Sequence, residues 1–127
     1  MRMIKEVDVE FANIVFYENY VISTIKEGVS INEKHINTLQ RIFTDHFGNQ
    51  LFGYISNRIT NYDVNPISFM DLPQYSTMTG IAIVCDTVSK KKTAKYESIF
   101  FELPYAIFET LDEAIVWLEG INKKAGL

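Results

Sequence analysis

At 127 residues the chain is long enough for one hydrophobic core, which removes roughly two thirds of the unfolded surface from water, and too short for a second. Apolar residues make up 47 % of it and charged residues 22 %, a balance that excludes disorder; the net charge of -4 disfavours a generic nucleic-acid binder, whose affinity rests on Lys and Arg. The lone cysteine, Cys85, excludes an intramolecular disulfide and suits a reducing compartment.

Arg2, Lys5, Glu6, Asp8 and Glu10 break up the first ten residues, so no signal peptide is expected there and the cytoplasm is the expected location. Every apolar run falls short of the roughly 20 residues of a membrane helix, so no membrane span is expected. From Val7 to Phe11 apolar and acidic residues alternate, which predicts an edge strand with one wet face. Ile14 to Tyr17 and Tyr20 to Ile25 predict a hairpin around Glu18-Asn19, so the chain begins antiparallel.

A helix is predicted over Glu33 to Phe47, with Ile36, Leu39, Ile42, Phe43 and Phe47 on one face. Asn32 can cap it, with Ile31 and Ile36 as a hydrophobic staple; Ser30 with Glu33 is the alternative capping box. Gly48 ends it. Leu51 to Ser56 then reads as a strand, joined to the preceding one by a parallel crossover. Residues 58–78 are irregular: Asn65-Pro66 opens a short helix through Ile67, Phe69 and Met70, and Pro73 stops it.

Ile81-Ala82-Ile83-Val84-Cys85 is the strongest strand signal, an unbroken apolar run that predicts burial on both faces over 80–85. A strand shielded above and below requires helical layers on both sides of a sheet. Lys90 to Phe101 is predicted as a helix with Ala94, Ile99, Phe100, Phe101 and Leu103 as core contacts, ended by Pro104. Tyr105 to Phe108 follows as a short strand, and Thr110 to Glu113 is a capping box for a last helix through Ile115, Leu118 and Ile121, with Trp117 anchored on the sheet. The expectation is a single α/β domain over 1–127, with a mixed sheet of about five strands and about four packed helices.

The order of elements, the strands ending at Ile55-Ser56 and Ile81 to Val84, and the closing phrase Ala106 to Leu118 resemble the SpoIIAA-like proteins, relatives of the STAS domains that include anti-sigma-factor antagonists. That resemblance implies a mixed sheet with helices packed against it and no known catalytic residues. The antagonists carry a phosphorylated serine in an Asp-Ser/Thr-Ser-Gly-like turn after a central strand. The matching stretch here is Ser56-Asn57-Arg58-Ile59-Thr60, without the aspartate or the glycine, which leaves Ser56 as the corresponding position and backbone bonding in a turn as its other role.

Open sheets with parallel strands bind ligands beyond the strands' carboxyl ends, which here gather Ser56, Asn57, Arg58, Asp86, Thr87, Ser89 and Lys90 as a candidate anion or ligand edge. Lys90, Lys91 and Lys92 in a helix's first turn oppose its dipole by about 0.3 to 1 kcal/mol each, a conflict that an anion would relieve. The favoured alternative is a helix that starts after the lysines and leaves them solvated. Tyr62, Phe69, Met70 and Tyr75 form a candidate apolar interface or pocket, or else cover for the sheet.

His35 and His46 stand eleven residues apart on one helix, about 16 Å, too far to share a metal, and read as surface residues. Cys85 reads as an apolar filler. None of the six glycines falls in a phosphate-loop or dinucleotide spacing, so neither cofactor nor metal is expected. The functional expectation is a non-enzymatic binding or regulatory module acting through an unidentified protein partner, with a homodimer as one form of it. The alternative is a carrier or sensor of a small apolar or anionic ligand.

Overall fold

The computed structural model describes residues 3–64 and 77–127. Its main sheet has six strands in the order β1-β2-β3-β5-β7-β8. β1 (Lys5–Val9), β2 (Ala12–Phe16) and β3 (Tyr20–Ile25) form an antiparallel meander; β5 (Phe52–Asn57), β7 (Met78–Val84) and β8 (Tyr105–Phe108) extend it in parallel with β3. The first strand lies two residues earlier than its alternation suggests, because Glu10-Phe11 makes the tight turn that pairs Val9 with Ala12. A second, two-stranded ribbon, β4 (Ser30–Ile31) with β6 (Asp63–Val64), has no counterpart in the sequence reading, since two residues carry no period.

Helix α1 (Glu33–Phe47) has the predicted bounds, and Asn32 caps it: its Oδ1 accepts from the backbone of Lys34 at 2.9 Å and of His35 at 3.4 Å. The box is closed by His35, whose Nδ1 accepts from Asn32 N at 3.0 Å. Ser30 is instead held in β4. Gly48 ends the helix at φ 58°, a backbone state that disfavours a Cβ.

Strand alternation divides the core. Val21, Ile25 and Phe52 face α1, while Ile81, Ile83, Cys85, Tyr105 and Ile107 face α2 (Val88–Glu97) on the same side of the sheet. Tyr20, Ile22, Ile55, Ala82 and Val84 point the other way, onto Ala114 and Leu118 of α3 (Leu111–Lys124). Gly80 to Cys85 are all buried, as the apolar run requires, and β7 lies inside the sheet between β5 and β8. Trp117 packs on Phe108 with ring centroids 5.6 Å apart.

The described residues contain three α-helices and a 3-10 turn at Ser98–Phe100, against about four helices expected, and six main strands against about five. The expected short helix through Ile67 and Met70 lies outside the described residues. The third predicted helix begins at Val88 and not Lys90, and ends at Glu97 and not Phe101. Ile99, expected in the core, is 70 % exposed.

The approach of α3 depends on a missing side chain. A Cβ on Gly53 would lie 2.6 Å from Cγ, Cδ1 and Cδ2 of fully buried Leu118. Gly53→Ala should therefore destabilise the fold by about 1–3 kcal/mol through overpacking, and Leu118→Ala by about 2–5 kcal/mol through the lost contacts and the space left behind. In the double variant the added methyl occupies part of that space, so urea denaturation should show a loss smaller than the sum by about 0.5 kcal/mol or more.

Candidate functional site

Helix α2 and the end of β5 meet in a polar junction. Within α2 the buried residues are Ala94 and Glu97, so the helix has no large apolar side chain driven into the core. Its seat is polar. Arg58, just past β5, donates from Nη1 to Glu97 Oε2 at 2.6 Å and from Nη2 to Oε1 at 2.8 Å, and from Nε to Ser56 Oγ at 3.1 Å. Its backbone N–H continues the sheet by donating to the Val84 carbonyl at 2.8 Å, and its own carbonyl accepts from Lys90 Nζ at 3.1 Å. Tyr105 on β8 donates its hydroxyl to the Ala94 carbonyl at 2.7 Å.

Arg58 is 9 % exposed and Glu97 1 %. Burial alone would ease the guanidinium toward losing its proton; the hydrogen bonds to Glu97 and the charge of its carboxylate outweigh it and hold Arg58 more firmly charged than a free guanidinium. Burial pushes the Tyr54, Tyr62 and Tyr105 phenols upward, so all three stay neutral. Tyr54 shares a 2.6 Å hydrogen bond with Ser23. Tyr54, Ser56, Tyr62 and Glu97 line a small pocket of about 60 Å³ together with Ile36 and Leu39.

On the solvent side of the junction lies a cleft of about 480 Å³. One wall is the start of α2, with Ser89, Lys90 and Thr93; the other is loop and ribbon, with Glu27, Gly28, Asn61 and the first residue of β6, Asp63; Arg58 and Tyr62 belong to the cleft as well. It opens at the carboxyl ends of β3 and β5, the edge where a parallel sheet leaves room for a ligand. The loop wall is held by Gly28 N donating to Asn61 O at 2.7 Å and by Asn61 N donating to Glu27 Oε1 at 3.2 Å.

The structure brings Arg58, Tyr62, Ser89 and Lys90 into this one cleft, joining residues that the sequence suggests for two separate sites. Asp86 is exposed, and Thr87 is the cap of α2, its Oγ1 accepting from Lys90 N at 3.2 Å. Asn57 lies outside the cleft, with its Oδ1 buried and without a partner among the described residues. Ser56 is 4 % exposed and bonded to Arg58, so its hydroxyl is enclosed in the sandwich. Phe69, Met70 and Tyr75 lie outside the described residues. Because α2 starts two residues before Lys90, the three lysines sit within its first turns and not ahead of it: Lys90 reaches Arg58, Lys91 pairs with Glu109 at 3.5 Å, and Lys92 is exposed.

Cys85 is a buried free thiol pushed upward by burial, which suits a filler. The histidines are half-buried and not free surface residues: His35 lies 4.6 Å from the Phe11 ring, and His46 stacks on Phe16 at 4.0 Å. No group of three or more potential metal ligands occurs among the described residues. No helix among them is long and apolar enough to cross a membrane.

Glu97 is the site residue that sequence reasoning missed. The signal was present as an anomaly: from Val88 to Glu97 only Val88, Ala94 and Tyr96 are apolar, and they do not form one stripe.

No protein-family model matches the chain, and no curated protein matches it in sequence. A solved structure does match: an uncharacterised protein of the DUF3478 family with a SpoIIAA-like fold, from Shewanella loihica PV-4, superimposes with a TM-score of 0.55 over 84 % of this chain and 91 % of that one, at 11 % identity. The fold is SpoIIAA-like. At that identity the likeness carries the architecture alone.

Two outcomes test this geometry. Arg58→Met or Glu97→Gln should each destabilise by about 3–5 kcal/mol in urea denaturation, because each strands its buried partner, whereas Arg58→Met with Glu97→Met should lose less than either. Burial, aided by Lys5, lowers the His46 pKa below its usual 6.5, so the folded state takes up that proton at lower pH than the unfolded chain. The His46 contribution to stability should be present above pH 6.5 and fade as pH falls through the folded midpoint, which an NMR titration of the His46 ring should place below 6.5.

Proposed function

We propose that this protein is a non-enzymatic binding module that works through a partner protein docked on the outward face of α2. The observation that carries this reading is that α2 is turned inside out. Its inward residues at i, i+4 and i+7 are Lys90, Ala94 and Glu97, whereas Val88 is 71 % exposed, Tyr96 56 % and Ile99, two residues beyond the helix, 70 %. Helical spacing sets Val88, Lys92, Lys95, Tyr96 and Ile99 along one outer stripe, with Phe100 beside Tyr96 at 5.9 Å between ring centroids.

A helix that served only its own domain would turn that apolar surface inward, so the arrangement fits a surface completed by another molecule. Lys92 and Lys95 within the stripe favour a partner whose contact surface combines acidic and apolar groups. They also disfavour two copies of α2 meeting face to face. The non-enzymatic part of the reading is supported by Arg58 and Glu97 saturating one another, which leaves neither as a free acid or base.

Ile99→Asp should leave stability within about 0.5 kcal/mol of the wild type, because the residue is already in water. A photo-crosslinking residue at Tyr96, introduced in the native cell, should give a discrete heterologous adduct that Ile99→Asp abolishes and that the same probe at Glu33 of α1 does not give. An adduct of equal yield at Glu33, or none at Tyr96, would overturn the reading; an adduct of twice the chain mass would replace the partner by a second copy.

A further inference from the structure

The cleft on the other side of α2 has a chemistry of its own. Its charge is divided between walls: Lys90 stands on the helix side, and Glu27 and Asp63 on the loop side. Arg58 adds no free charge, because Glu97 holds both of its terminal nitrogens. Lys90 spends one donor on the Arg58 carbonyl and keeps two. Glu27 accepts one backbone N–H and keeps most of its acceptor capacity. Thr93 donates its hydroxyl to the Ser89 carbonyl at 3.2 Å, which spends its proton and leaves its oxygen an acceptor.

A simple anion would meet one cation and two carboxylates, an unfavourable sum. A simple cation would leave Lys90 opposed. A molecule with a separated positive and negative end matches both walls at once, and the volume, which would otherwise hold on the order of 16 waters, accommodates one of amino-acid size. We infer that this cleft is a binding site for a small zwitterion of the α-amino-acid class, its carboxylate received by Lys90 and Ser89 and its ammonium by Glu27 and Asp63. The site is independent of the docking face, since the residues concerned lie on different sides of α2.

The test is an amide NMR titration of the full chain with each of the twenty common α-amino acids, and with acetate, methylammonium and inorganic phosphate as separate arms. At least one amino acid should shift the amides of Gly28, Asn61, Ser89 and Lys90 in a saturable way, and both Lys90→Met and Glu27→Gln should weaken it about tenfold or more while the rest of the spectrum is retained. Saturation of the same amides by acetate or phosphate at equal affinity would make the site an anion site and overturn the inference, and equal affinity for methylammonium would make it a cation site with the same consequence. Absence of saturable shifts with every amino acid up to about 50 mM would also overturn it, because that is weaker than the millimolar affinities typical of metabolite sites.

Discussion

The buried pair between Arg58 and Glu97 is the contact on which the arrangement of this molecule turns. Helix α1 is held mainly by Ile36, Leu39, Phe43 and Phe47, and α3 mainly by Ala114 and Leu118. Among the described helices α2 alone is seated by a buried ion pair, with Ala94 as its single buried apolar residue. An apolar seat of the same volume would commonly be at least as stable as a buried ion pair, so stability alone does not account for the choice. What the pair supplies is direction. A bidentate guanidinium and carboxylate meet in one geometry, whereas an apolar stripe tolerates rotation of the helix about its axis.

That orientation has consequences on both sides of α2. Holding Glu97 inward commits Val88, Tyr96 and Ile99 to solvent, because residues on opposite sides of a helix cannot both be buried against one sheet. It also aims Lys90 at the carbonyl of Arg58, so the helix start becomes a cleft wall with its ammonium group anchored. The outer stripe and the cleft thus share one mechanical origin. Arg58 links them further, since its backbone is bonded to β7 and its side chain to α2.

The sheet provides the rigid frame for this. The parallel run β3, β5, β7 and β8 places the carboxyl ends of four strands at one end of the domain. Close packing of α3 on the opposite face, permitted by Gly53, fixes the sheet from behind. The segments beyond the carboxyl ends carry the charged groups of the cleft, while Ser23, Tyr54 and Ser56 hydrogen-bond within the sandwich.

The sequence by itself determined the periodic parts. Helix α1, the antiparallel opening, the doubly buried run 81–85 and the last helix with its Thr110 cap were all legible, because each is written locally in apolar spacing and capping residues. The resemblance to SpoIIAA-like proteins rested on those same elements, and the fold agrees. Tertiary structure alone decided the rest. That Arg58 would find Glu97, thirty-nine residues away, has no local sign, because a charged residue looks the same in sequence whether it meets water or a partner. Ile99 was consequently assigned by hydrophobicity to the core, Glu97 went unnoticed, and α2 was expected two residues late at its start and four late at its end. Hydrophobic period reports which face of an element is buried only when burial is what seats the element; where an ion pair does so, only the folded contact reveals it.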